Sequence, residues 1–192
     1  MTKYNLGCGS KILPGYANVD CRDLPGVDMV MDLSRLPWTP SLTPGEEIVA
    51  HDFLEHFPRT LTDGILGEMW ISLVTDGKLE LQVPDLDLIA DVLVAGEEGF
   101  ICSTCERHVI PYEGRCGFCQ QTVTQIQEKA LEMVYGGVDY PENQHKTGFT
   151  FATLSGRLLR AGFERIERID SEKHAKNYGM VVRCRKGVMN WS

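Results

Sequence analysis

The stretch Tyr4-Asn-Leu-Gly-Cys-Gly-Ser10 governs the reading of the whole chain. A short apolar-leaning run, Tyr4 to Leu6, meets two glycines, Gly7 and Gly9, one residue apart. If the run is a buried strand, the glycines form the turn at its carboxyl end. Their missing side chains then let a ligand lie directly against backbone N–H donors. In open α/β sheets that crevice is where nucleotide-like ligands bind. Ordinary turns use the same residues with no ligand, so the pair takes its meaning from the residues downstream of it.

The downstream connection is short. Ten residues separate Gly9 from Asp20, and Pro14-Gly15 breaks them, which leaves no comfortable room for a crossover helix. Ala17 to Val19 reads as a second strand ending in an acid, Asp20, and Val27 to Met31 as a third closed by Asp32. A strand-terminal carboxylate beside a glycine turn can accept hydrogen bonds from a ribose diol, although a solvated loop aspartate looks the same in sequence. After a proline-bearing loop from Ser34 to Glu46, the apolar run Ile48-Val-Ala50 leads into His51-Asp-Phe-Leu-Glu-His56. Four ionisable side chains in six positions at a strand's end are candidate chemistry.

The remainder alternates. Leu61 to Val74 has helical apolar spacing, Asp76-Gly77 a turn, and Leu79, Leu81 and Val83 the alternation of a half-buried strand. Helices are expected over Asp85–Val94 and Thr122–Tyr135, and from the N-cap Thr150 to Gly162. Two last strands, near 163–169 and 180–185, form an antiparallel pair. The order predicts an α/β fold with a mostly parallel sheet.

Composition narrows the class. With 43% hydrophobic and 24% charged residues over 192 positions, the chain is that of one globular domain with a small appendage. No apolar run reaches the roughly 18 residues that span a bilayer, and no apolar segment follows Lys3 as in a secretory signal, so a cytoplasmic protein is expected. The formal net charge of −8 disfavours a nucleic-acid-gripping role.

Taken together, Asn5-Leu-Gly-Cys-Gly-Ser-Lys11, Pro14-Gly-Tyr-Ala-Asn-Val-Asp20 and Asp32-Leu-Ser-Arg-Leu-Pro-Trp38 resemble the small class I S-adenosylmethionine-dependent methyltransferases. So do Ile48-Val-Ala-His-Asp-Phe-Leu-Glu-His-Phe57, Gly77-Lys-Leu-Glu-Leu-Gln-Val-Pro-Asp85, His145-Lys-Thr-Gly-Phe-Thr150 and Leu158-Leu-Arg-Ala-Gly-Phe163. The resemblance implies a Rossmann-like seven-stranded sheet, six strands parallel and the last antiparallel, with helices on both faces. It implies that S-adenosylmethionine is bound by Asn5, Gly7, Gly9, Asp20, Asp32, Leu33 and His51. Gly7 and Gly9 would lie against its methionine part, Asp20 on the ribose, Asp32 and Leu33 beside the adenine, and His51 at the border with the substrate pocket. Two departures stand out: Ser10 or Lys11 occupies the place of the third glycine, and the first helix is nearly absent.

Methyl transfer needs in-line placement, and a base only where the acceptor loses a proton. His51, Glu55 and His145 are the candidate catalytic residues, with Asp52 and His56 beside them. If a helix starts at His51, Glu55 stacks near it. Packing and capping are the competing roles for Glu55 and His56, and solvation for His145.

Cys102-x2-Cys105 and Cys116-x2-Cys119, ten residues apart, are the second strong signal among seven cysteines. Two such knuckles close a tetrahedral tetrathiolate site, so structural zinc is expected, with rubredoxin-like iron and disulfides as alternatives. The domain reading is a methyltransferase domain over 1–99 and 120–192 interrupted by a zinc-knuckle insertion over 100–119. The insertion acts as a staple or lid, or recognises a macromolecule. The acceptor is read as a small molecule or sugar-derived metabolite. Alternatives are a nucleic-acid or protein methyltransferase using the zinc segment for recognition, and a non-catalytic zinc-containing adaptor.

Overall fold

The opening strand lies in the interior of a seven-stranded sheet, third from one edge. A computed structural model describes residues 2–39, 41–94, 100–102, 105, 108–109, 115–137, 140–169 and 178–188. In chain order the strands are β1 (Lys3–Leu6), β2 (Ala17–Asp20), β3 (Met29–Val30), β4 (Gly45–His51) and β5 (Leu73–Pro84). Then come β6 (Phe100–Ile101), β7 (His108–Val109), β8 (Phe163–Ile169) and β9 (Gly179–Lys186). The sheet order is β3-β2-β1-β4-β5-β9-β8, while β6 and β7 form a separate antiparallel ribbon. Strands β1 to β5 pair in parallel, and β9 runs antiparallel to both of its neighbours, β5 and β8. This is the predicted pattern of six strands one way and the last reversed.

The strand period explains which face is dry. Leu6, Val19, Ile48, Leu81 and Val182 point to one side and pack on Ile65, Leu66 and Met69 of helix α1 (Arg59–Ile71). Leu154 and Leu158 of the later helix Phe151–Arg160 join the same core. Each such side chain contributes about 1.5–3 kcal/mol by leaving water. The alternate positions carry charge: Lys3 meets Glu47 at 2.9 Å, and Glu80 accepts from His51 at 2.8 Å and from Arg183 at 2.6 Å. No helix occurs in the described connections from β1 to β2 and from β2 to β3. Instead buried Asn5 donates to Lys11 O at 2.8 Å and to Asn18 Oδ1 at 2.9 Å, pinning the short connection back onto the sheet.

A second apolar cluster joins Ile89 and Val92 of α2 (Leu86–Leu93), Ile126 and Ala130 of α3 (Val123–Tyr135), Tyr178, and the thiols of Cys102 and Cys116. Both Thr122 and Thr150, the latter opening α4 (Phe151–Arg160), complete capping boxes, with Gln125 and Thr153 as their partners. Each box satisfies two amides that would otherwise lack partners. Asp85 caps α2 through the amide of Asp87 at 3.1 Å.

Three local expectations need correction. Helix α1 stops at Ile71, not Val74, because Leu73 pairs with Gly45 at the start of β5. Asp76-Gly77 is not a turn between elements: the register on β4 passes from Leu73 to Lys78 between Gly45 and Glu47, so the chain bulges through Asp76 at φ +60° and stays in the sheet. No helix starts at His51. The strand continues to that residue, Asp52 turns the chain at φ +51°, and a single 3₁₀ turn follows over Leu54–His56. Stacking of Glu55 over His51 therefore does not arise.

Candidate functional site

The sheet order reverses between β1 and β4, and a cavity of about 570 Å³ opens at the carboxyl ends of the strands there. Gly7, Asp20, Asp32, Leu33, Asp52, Phe53, His56, Tyr140 and Lys146 are among its walls. Gly7 has φ +64°, and a Cβ on it would come within 2.3 Å of the Phe53 ring. The glycine thus seats an aromatic wall as well as making the turn.

Gly9 works from behind. Its amide donates to Asp20 Oδ2 at 2.7 Å, while Asp20 Oδ1 accepts from Arg22 N at 3.0 Å and Arg22 Nε at 3.1 Å. Burial disfavours the Asp20 carboxylate, but these hydrogen bonds from Arg22 and Gly9 outweigh it and hold its pKa below the ordinary value. A carboxylate oxygen has two lone pairs, so Oδ2 keeps capacity for one further donor such as a hydroxyl. The Arg22 guanidinium lies over the Tyr140 ring at 4.8 Å, closing one side of the cavity. Asp32 is held by Ser34 Oγ at 2.6 Å and Arg35 Nε at 3.0 Å, and the Ser34 hydroxyl leads the interactions that keep it ionised. Leu33 is buried beside it.

Opposite stands a cluster of one carboxyl and two imidazoles. Glu55 is fully enclosed, and neither of its carboxyl oxygens has a hydrogen-bond partner. Burial pushes its pKa up to about 8 and the Asp52 carboxylate adds to the rise, while the nearby amides of Glu55 and Phe53 pull the other way. The rings of His56 and His145 meet edge to face with centroids 5.0 Å apart. His56 Nδ1 faces Gln144 O at 3.3 Å and His145 Nδ1 faces Met133 O at 2.8 Å. Burial is the first cause that holds both rings below the usual histidine pKa.

Of the residues singled out in the sequence, Gly7, Asp20, Asp32 and Leu33 meet on the cavity wall. Asn5 and Gly9 lie behind it as braces. Glu55 and His145 come together with His56, the only one of the three that lines the cavity. His51 does not join them: its Nε2 is 2.8 Å from Glu80 Oε1, and it is not among the lining residues. Arg22, Phe53, Tyr140 and Lys146 also line the cavity and are not among those singled out in the sequence. Phe53 and Phe57 flanking an acid do carry a signal, since an apolar frame around Glu55 implies burial.

The four knuckle cysteines converge, with all four Sγ atoms within 4.8 Å of one another. Cys102 and Cys119 are 3.6 Å apart, as are Cys105 and Cys116. Thiolates on 2.3 Å bonds to a tetrahedral zinc sit about 3.8 Å apart, so the donor set fits that ion. Burial pushes the Cys116 thiol up, but the amides of Cys119 and Phe118 and the neighbouring thiols pull it further down, to about 7. Within the segment, residues 103–104, 106–107 and 110–114 lie outside the described residues.

No family profile matches the chain, and comparison with curated proteins finds no match. Solved structures do. Human N-acetylserotonin methyltransferase in complex with S-adenosylmethionine aligns with TM-score 0.53 at 12% identity over 97% of this chain and 48% of that one. The 1,6-didemethyltoxoflavin-N1-methyltransferase of Burkholderia thailandensis, bound to 1,6-didemethyltoxoflavin and S-adenosylhomocysteine, aligns with TM-score 0.53 at 14% identity over 97% and 71%. The CurJ carbon methyltransferase gives 0.55 at 14% identity over 98% and 49%. The chain spans about half the length of the human and CurJ proteins. Likeness at these identities is a likeness of architecture, and the chain has the fold of the class I S-adenosylmethionine-dependent methyltransferases.

Proposed function

We propose that this chain is an S-adenosylmethionine-dependent methyltransferase acting on a small or sugar-derived acceptor. The observation that carries the reading is the convergence of Gly7, Asp20, Asp32 and Leu33 on one cavity at the switch point of the sheet. When bound, S-adenosylmethionine supplies an electrophilic methyl group on a sulfonium. The work of the chain is then placement. Asp20, pre-aimed by Gly9 and Arg22, accepts from the ribose diol through Oδ2. Leu33 and Phe53 supply apolar surface for the adenine, and Asp32 a polar edge. Asp20, Asp32, Asp52 and Glu142 outnumber Arg22 and Lys146 on the cavity wall, a net acidic balance that suits a positively charged cofactor.

An acceptor that must lose a proton needs a lone pair on the far wall. On this reading the task falls to the wall that carries Glu55, His56 and His145, since His51 is engaged by Glu80. The four thiolates hold structural zinc, and residues 100–119 form an insertion in a methyltransferase domain of 1–99 and 120–192. The insertion staples α2 to α3 through Cys102 and Cys116. No described helix is long and apolar enough to cross a membrane, and we place the protein in the cytoplasm.

Calorimetry with S-adenosylhomocysteine tests the proposal. Zinc-replete protein is expected to bind one equivalent, and Asp20→Ala to weaken binding by about 10- to 100-fold, the worth of one charge-assisted hydrogen bond. Absence of binding by the wild-type protein would remove the reading.

A further inference from the structure

We propose that Glu55, His56 and His145 form a second metal site, for a divalent transition ion such as zinc, in the wall of the cavity. One carboxylate oxygen of Glu55 and one ring nitrogen from each histidine already lie within 4.8 Å of one another. Around an ion with bonds of 2.0–2.1 Å the donors sit about 3.3 Å apart, so modest side-chain closure completes three legs of a tetrahedron.

Two independent features point to a cation rather than to packing. The first is the orphaned carboxyl. Glu55 is fully buried with both oxygens unpartnered, a costly state that a metal–oxygen bond resolves. The second is the orientation of the rings. Both Nδ1 atoms face main-chain carbonyls, Gln144 O and Met133 O, which favours the proton on Nδ1 and the lone pair on Nε2, with the Asp52 main chain also facing the His56 ring. A histidine that ligates metal through one nitrogen ordinarily donates through the other in this way.

The frame is also pre-assembled. The single 3₁₀ turn sets Glu55 and His56 side by side, and Glu55 O accepts from Lys146 N at 2.8 Å and Thr147 N at 3.1 Å. The amide of His145 donates to Tyr135 O at 2.9 Å, and a Cβ at Gly136 would strike that residue at 2.6 Å, so glycine there lets His145 close in. Three protein ligands leave a fourth position, and His56 brings the ion to the cavity surface, where water or an entering ligand can fill it. The donor set holds no sulfur, which separates this site chemically from the four thiolates.

The inference does not rest on methyl transfer, since metal content is counted without cofactor or acceptor. Full-length protein is stripped with a chelator and dialysed against cobalt(II) or zinc at neutral pH. Wild-type protein is expected to take up about two ions per chain, one beyond the tetrathiolate ion. In the cobalt form the second equivalent adds ligand-field absorption without thiolate charge transfer. Glu55→Gln and, separately, His145→Asn lose that equivalent and keep the thiolate band. Cys116→Ser does the reverse, which holds the test open should a variant at the carboxyl site fail to fold. One ion per wild-type chain, a second ion with thiolate character, or a second ion retained in both Glu55→Gln and His145→Asn would overturn the proposal.

Discussion

Gly7→Ala tests how the opening turn is built, because two penalties fall on one position and a second glycine separates them. Gly7 has φ +64°, where a Cβ costs about 1–2 kcal/mol, offset in part by the lower entropy of the unfolded alanine chain. The new methyl would also lie 2.3 Å from Phe53 Cδ2, far inside contact distance. Phe53 is 5% exposed and packs edge to face on Phe57 at 4.8 Å, so its ring cannot yield freely. Overpacking of that kind costs about 1–3 kcal/mol. The control is Gly15→Ala: φ is +81°, and nothing lies within 4 Å of its Cβ. It pays the backbone cost alone. Urea unfolding with unchanged m-values should therefore find Gly7→Ala less stable than Gly15→Ala by about 1–3 kcal/mol. Adding Phe53→Leu to Gly7→Ala should recover part of that difference, a coupling readable in a double-mutant cycle. Equal destabilisation by the two alanines, or no coupling with residue 53, would refute the contact between turn and wall.

The charged face and the knuckles have consequences of their own. Bonds from His51, then Arg183, depress the Glu80 pKa to about 2 despite burial, so its stabilisation is fully present above the ordinary value of 4.5 and is lost as pH falls toward 2. Glu80→Gln should lower stability near neutral pH by about 2–3 kcal/mol at most and flatten the acid limb between those two values in pH-dependent denaturation. Cys116→Ser should remove the thiolate-bound zinc and broaden thermal unfolding, because Cys116 is buried between α2 and α3; retained zinc would show that the ligands are misassigned.

The parts legible in the sequence are those that local chemistry decides. The glycines after Leu6, the acids ending β2 and bordering β3, and the caps Thr122 and Thr150 follow from strand period, φ and amide satisfaction over a few residues. The alternation of Leu79, Leu81 and Val83 likewise foretells a sheet dry on one side. The features that escape it depend on distant partners. Arg22 reaches the cavity wall because Asp20 and the Tyr140 ring hold it from either end, and Tyr140 is 118 positions further on. His51 turns to Glu80 because β5 lies beside β4, a pairing that residues 51–56 cannot reveal. His145 reads in sequence as a solvated loop residue, yet the closing of 144–147 onto Glu55 O sets it against His56.

On the proposed function, the crevice between β1 and β4 receives the cofactor. A crystal structure of the protein with S-adenosylhomocysteine tests it most directly. The expected complex has the ribose diol on Asp20 Oδ2, the adenine between Leu33 and Phe53, and the amino-acid end over Gly7. A nucleoside bound away from Asp20, or density confined to another surface, would contradict it.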